Sequence, residues 1–173
     1  METVAAYVSV GSNIEPERHV PAALAALAGT PGLRVTGVST HYRTAPLDGR
    51  TDQGDYVNGV WAFSCGLGRE AFRAALAGIE EREGRRRTGD RYEARTLDLD
   101  LLDWGGAVDP ADGLPDGDVL ERPFLWAALL ELRPGFVWPA SGRPLAGLVD
   151  RREAEGLRAD AALTARLKGL IDG

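Results

Sequence analysis

The run Leu97-Asp98-Leu99-Asp100-Leu101-Leu102 constrains the fold more than any other segment of this chain. Leucine and aspartate alternate with a period of two, the signature of a β-strand whose successive side chains leave opposite faces. Asp98 and Asp100 therefore share one face, one pleat apart. Aspartate is depleted in strands, so two on one face require a reason. Carboxylates that close repel each other unless a cation sits between them, and hard oxygen ligands suit Mg²⁺. Just upstream lie Arg85, Arg86, Arg87, Arg91 and Arg95, permanently charged planar donors for phosphate oxygens. A strand aspartate alone is most often solvent-facing, and an arginine run alone is most often a solvated helix end. Their juxtaposition points instead to a nucleotide polyphosphate with its magnesium, and so to phosphoryl-group chemistry.

The 173 residues fit one domain spanning 1–173, long enough to bury a proper core. The net charge of -6 argues against a protein that coats nucleic acid or an anionic membrane. Lys168 is the only lysine, and no Gly-x-x-x-x-Gly-Lys-Ser/Thr run exists, which disfavours a P-loop. Cys65 is the only cysteine, so neither an intrachain disulfide nor a thiolate metal cluster is available. The chain opens directly on an apolar strand pattern, without a basic leader, and no apolar run approaches a membrane span. A cytoplasmic monomer is expected.

Periodicity divides the chain into strand Val4–Val10, a helix from Pro16 through Leu27, a strand from Leu33 running on to Tyr42, and an exposed loop over Thr44–Gly54. Strand Tyr56–Phe63 follows, then helix Glu70–Glu83 and strand Leu97–Trp104. Residues 107–121 read as a loop, Phe124–Leu132 as a short buried helix and Leu157–Ile171 as a C-terminal helix. Within Tyr56–Phe63, Tyr56, Asn58, Val60 and Ala62 share one face, while Val57, Gly59, Trp61 and Phe63 form the core-like other. The order β-α-β-β-α-β predicts an α+β, ferredoxin-like antiparallel sheet with flanking helices and C-terminal additions, including a helical cap over 150–173.

Several segments in sequence order resemble the 6-hydroxymethyl-7,8-dihydropterin pyrophosphokinase family of folate biosynthesis, over roughly residues 4–139. They are Tyr7-Val8-Ser9-Val10-Gly11-Ser12-Asn13, Tyr42-Arg43-Thr44-Ala45-Pro46-Leu47, Asp55-Tyr56-Val57-Asn58, Ile79-Glu80 with Gly84-Arg85-Arg86-Arg87, Arg95-Thr96-Leu97-Asp98-Leu99-Asp100-Leu101-Leu102, and the Arg122-Pro123-Phe124-Leu125 block. The resemblance implies a transferase, an ATP-dependent pyrophosphokinase that moves pyrophosphate from ATP to the pterin hydroxymethyl group and releases AMP. It implies two Mg²⁺ ions on Asp98 and Asp100, with Arg85 and Arg95 completing the catalytic set. ATP contacts fall on Arg85, Arg87, Arg91, Tyr92, Arg95, Leu101 and Arg122, and pterin contacts on Thr44, Ala45, Leu47, Tyr56, Asn58 and Phe124. The shared face of Tyr56 and Asn58 independently suits a flat ring that is stacked and read at its edge.

Three departures fall on the nucleotide side of that resemblance. Glu93-Ala94 stand where the family has Gly-Pro, Asp116 stands where it carries a histidine, and Tyr92 replaces a tryptophan. They predict weakened ATP binding with the metal and pterin sides intact. The alternative reading is a non-catalytic relative that binds pterin or nucleotide in regulation or assembly. A third, an RNA-recognition module of the same element order, is opposed by the acidic net charge and the aspartate pair.

Overall fold

Nine mostly small and β-branched residues, Val4–Ser12, make β1, the spine of the sheet. The computed structural model describes residues 2–46, 49–86, 89 and 94–173. After β1 come α1 (Pro16–Ala28), β2 (Leu33–Val38), β3 (Tyr42–Thr44), β4 (Tyr56–Cys65), α2 (Arg69–Arg82) and β5 (Asp98–Trp104). Then follow α3 (Asp118–Glu121), α4 (Pro123–Leu132), β6 (Val137–Trp138), β7 (Arg143–Pro144), β8 (Arg158–Ala159) and α5 (Ala161–Ile171). Among the described residues the main sheet runs β5-β1-β4-β3-β8, with β2 also on β4, and β6 and β7 form a separate hairpin. Every pairing is antiparallel. This is the split β-α-β arrangement that the element order predicts: β1 and β4 are central, and α1 and α2 each cross over to a non-adjacent strand.

The strand expected from Leu33 to Tyr42 is broken. Its two halves pair with successive stretches of β4, Leu33–Val38 with Trp61–Cys65 and Tyr42–Thr44 with Tyr56–Asn58. The break is where His41 turns into the core. The His41 side chain is fully buried, its Nδ1 bonded to the Ser39 carbonyl at 3.0 Å and its Nε2 accepting from Trp61 Nε1 at 3.2 Å. It lies flat against Gly59, where any Cβ would meet the ring at 2.5–2.7 Å. Periodicity cannot register a position whose geometry depends on a ring arriving from another strand.

Two apolar layers cover the sheet. On one face Leu24, Leu27, Phe72, Leu76, Leu163 and Leu167, from α1, α2 and α5, bury Val8, Val10, Trp61, Phe63, Leu99 and Leu101. On the other, Phe124, Trp126 and Leu129 from α4 pack with Trp138 over Tyr7, Val60, Ala62 and Leu102. Val60 and Ala62 are therefore buried as thoroughly as the opposite face of β4, and only the Tyr56–Asn58 end of their face stays partly open. The second layer comes from residues far along the chain, which is why β4 by itself reads as having a single core face.

The stretch 107–121 is more ordered than the expected loop, with a 3₁₀ turn at Pro110–Asp112 and α3. The C-terminal end also differs. Residues 158–159 form β8, and α5 begins only at Ala161, because Asp160 caps it by accepting from Leu163 N at 3.0 Å. With Leu163, Thr164 and Leu167 buried, the C-terminal helix packs into the body of the fold. It also repairs α1. Pro21 has no N–H to give the Glu17 carbonyl, and Arg166 Nη1 donates to that carbonyl at 2.7 Å instead. No helix among the described residues is long and apolar enough to cross a membrane.

Candidate active site

Register assembles the site. On β1, Gly11 lies opposite Asn58 of β4 on one side and Asp98 of β5 on the other, and Ser9 likewise lies between Val60 and Asp100. Adjacent strands are about 4.8 Å apart, so Asn58 and Asp98 lie roughly 10 Å apart across one row. Glycine keeps the row open: a Cβ on Gly11 would sit 3.2 Å from Asn58 Oδ1. Over this floor a groove is lined by Asn58, Asp98, Asp100, Asp116, Asp118, Arg122, Phe124 and Leu125.

The carboxylate side is densely charged. Asp98 accepts from Arg85 Nη1 through one oxygen and from Arg95 Nη1 through the other, both at 2.5 Å. Arg85 also donates to the buried Glu80 at 2.7 Å, and the same Glu80 oxygen accepts from Leu99 N at 2.7 Å. Leu99 lies between the two aspartates on the edge strand, so Glu80 caps a backbone amide that β1 does not use. By the alternation of an antiparallel ladder, the backbone polar groups of Leu101 face the same free edge. Asp100 is exposed, yet its carboxyl is raised well above the usual carboxylate range, first by the desolvating walls around it and then by Asp98, Glu80 and Asp116, against the pull of Arg85. A pair held this way is disposed to take up a cation.

Asp116 closes the rim. Its backbone N donates to the Leu102 carbonyl at 2.9 Å, and its Oδ1 accepts from Asp118 N at 2.9 Å. Burial, joined by the charge of Asp118, raises its carboxyl above the ordinary range. Arg122 stands on the same wall, 3.2 Å from Asp118.

The residues singled out in the sequence divide into groups. Asn58, Asp98, Asp100, Arg122 and Phe124 line one groove, and Arg85 and Arg95 converge on Asp98. Thr44 stands behind Asn58: its Oγ1 accepts from Asn58 Nδ2 at 2.7 Å, which turns Asn58 Oδ1 toward Gly11. Tyr56, partly buried, and Ala45, exposed, do not line the groove. The Leu101 side chain is buried in the helix-side core; only its backbone edge can face a ligand. Leu47, Arg87, Arg91, Tyr92 and Glu93 lie outside the described residues.

Sequence reasoning assigned no part to Glu80 or to the side chain of Asn13. The signal for Glu80 was present: Phe72, Leu76 and Glu80 fall at i, i+4 and i+8 on one helix, so a carboxylate occupies the apolar stripe. Asn13 had no comparable signal. Its Oδ1 accepts from Arg95 N at 2.7 Å, and its Nδ2 donates to Gln53 Oε1 at 3.1 Å, joining two loops.

The family model for 7,8-dihydro-6-hydroxymethylpterin-pyrophosphokinase matches residues 7–134. The chain belongs to that family. It is 37% identical over 154 residues to the 2-amino-4-hydroxy-6-hydroxymethyldihydropteridine pyrophosphokinase of Pseudomonas aeruginosa, covering 87% of this chain and 93% of the relative. The pyrophosphokinase of the same name from Haemophilus influenzae is 34% identical over 141 residues, covering 80% of this chain and 87% of that one. Among solved structures, an HPPK-DHPS in complex with substrates superposes with a TM-score of 0.62 at 10% identity, over 87% of this chain. This chain spans 43% of that larger one, and the likeness establishes the fold alone, the α+β antiparallel sheet described above.

Proposed function

We propose that this protein transfers the pyrophosphoryl group of ATP to the hydroxymethyl oxygen of 6-hydroxymethyl-7,8-dihydropterin, releasing AMP, as an ATP-dependent pyrophosphokinase of folate biosynthesis. The observation that carries this reading is the register row that sets an amide reader and a carboxylate pair on either side of a glycine. A flat pterin over Gly11 would present one edge to Asn58 and its hydroxymethyl group to Asp98 and Asp100. Asn58 Oδ1, fixed by Thr44, accepts a ring-edge N–H, and Phe124 stacks on the ring from the α4 side, with Tyr56 at the flank. By the resemblance, Thr44, Ala45 and Leu47 would complete the pterin end.

The donor set fits magnesium. Among the described residues no group of three or more His, Cys, Asp or Glu side chains is arranged to hold an ion. Mg²⁺ commonly takes one or two carboxylates, with substrate phosphates and water filling its octahedron, and Asp98 and Asp100 are such a pair. Two Mg²⁺ ions held there would neutralise charge around the transferring phosphorus and lower the pKa of the attacking hydroxyl. Arg85, Arg95 and Arg122 approach the groove from two sides and would hold phosphate oxygens, work that accounts for most of the catalysis in phosphoryl transfer. Arg87, Arg91 and Tyr92 would cover the triphosphate, and the Leu101 backbone edge would face the nucleotide. Asp116 puts an anion on the rim of the same groove, so ATP is expected to bind more weakly than in relatives that carry histidine there. The reading comprises a single domain acting as a cytoplasmic monomer, without nucleic-acid or membrane partners.

The test is AMP release from ATP and Mg²⁺, with and without the pterin. Pterin-dependent AMP is expected, falling by about 10³-fold or more in Asp98→Ala and Asp100→Ala. Pterin binding without AMP would overturn the catalytic reading in favour of a binding-only relative.

A further inference from the structure

The segment Arg158–Asp160 lies beyond residues 7–134, the part of the chain matched to the family, yet it grips both ends of the loop that joins β3 to β4. At the entry, β8 pairs with β3, Tyr42 opposite Ala159 and Arg43 opposite Arg158. Asp160 Oδ2 accepts from Arg43 Nε at 2.9 Å and from Nη2 at 2.7 Å, while Arg43 also donates to Glu17 of α1. Asp160 N donates to the His41 carbonyl at 2.8 Å, and Thr164 Oγ1 accepts from His41 N at 2.9 Å. At the exit, Arg158 Nη2 donates to Asp55 at 2.7 Å. The neighbours of the two gripped residues are Thr44 and Tyr56.

We infer that Arg158 and Asp160 are positioning residues for pterin recognition, a C-terminal clamp that sets the strand ends bearing Thr44 and Tyr56. The inference rests on the pterin end of the function proposed above. Thr44 acts on the ligand through Asn58, whose Nδ2 it holds at 2.7 Å, so a displacement of β3 rotates the amide that reads the ring. Exposed pairs such as Arg158–Asp55 contribute little to stability. The clamp therefore works through geometry, combining two backbone pairings, a shared helix cap and a half-shielded guanidinium. The aspartates and arginines of the metal side make none of these contacts.

Asp160→Asn is the informative variant, because the amide oxygen still caps α5 at Leu163 N while its nitrogen cannot accept from Arg43. Pterin binding by ligand fluorescence and steady-state turnover are measured on the full chain, for this variant and for Arg158→Ala. The expected result is a pterin Kd and KM raised about 5- to 10-fold, with the ATP KM and the Mg²⁺ dependence within about twofold of the parent. The charge exchange Arg158→Asp with Asp55→Arg is expected to restore the pterin KM toward the parent value. An unchanged pterin Kd in both single variants overturns the clamp, as does a parallel loss for both substrates that follows a lowered Tm. If the parent binds pterin but releases no AMP, the catalytic reading fails while the binding arm still decides the clamp. A parent that binds no pterin overturns both.

Discussion

At the scale of single residues, two glycines on adjacent strands do different work. Gly11 keeps the row between Asn58 and Asp98 open, and its added Cβ would stand 3.2 Å from Asn58 Oδ1, a contact that shifts the amide without unfolding the strand. Gly11→Ala is expected to raise the pterin KM about 10-fold with stability changed by less than about 1 kcal/mol, read by kinetics beside a urea titration. Gly59 instead lies under the His41 ring, where a Cβ would come within 2.5–2.7 Å of three ring atoms. The imidazole is enclosed and hydrogen-bonded on both nitrogens, so it cannot step aside. Gly59→Ala is expected to cost about 2–3 kcal/mol by overpacking, seen as a lower urea midpoint. Gly59 sits in a run that reads as an ordinary strand, while Gly11 lies just past the expected strand end at Val10, in a part of β1 that only pairing on both sides extends. The aspartates at 98 and 100 were legible because a carboxylate on a strand face contradicts its surroundings; a missing side chain contradicts nothing.

At the scale of elements, the union of α2 with β5 matters most. Glu80 caps Leu99 N between the two aspartates and holds Arg85 against Asp98, so one buried carboxylate fixes both the pleat of the edge strand and the approach of a guanidinium. Glu80→Ala leaves a buried amide and a partly buried cation without that partner. It is expected to destabilise the fold by about 2–3 kcal/mol and to lower kcat by about 10²-fold. Glu80→Gln retains an acceptor for Leu99 N and is expected to recover most of the stability but less of the rate. Thermal unfolding beside single-turnover AMP release separates the two effects. The helices and strands themselves were largely legible: α2 and β5 fall within one residue of their expected starts, because amphipathic and alternating patterns are local. The division of β2 from β3 was not, since it depends on His41 turning into the core and on Thr40 N donating to Glu131 of α4. Nor was β8, a two-residue strand that exists because β3 offers it an edge.

For the whole molecule, pH sensitivity follows from the same histidine. Burial lowers the His41 pKa from 6.5 to about 4, against the opposing pull of the Ser39 carbonyl and of Glu131 and Asp160. Between those values the unfolded chain binds a proton that the folded chain does not, so stability is full above about pH 6.5 and is lost as pH falls toward 4. The loss approaches roughly 3 kcal/mol from this group, and His41→Gln is expected to flatten that part of the curve in urea titrations at stepped pH. The amino-acid sequence by itself determined the order of elements, the family and the carboxylate pair, since each depends on residues close together in the chain. Tertiary structure alone decided that Asn58 and Asp98 share a row across Gly11, that α4 buries the second face of β4, and that Arg158 and Asp160 reach back to residues 43 and 55. Those relations depend on strand register and on contacts between residues distant in the chain, and neither leaves a periodic trace in the sequence.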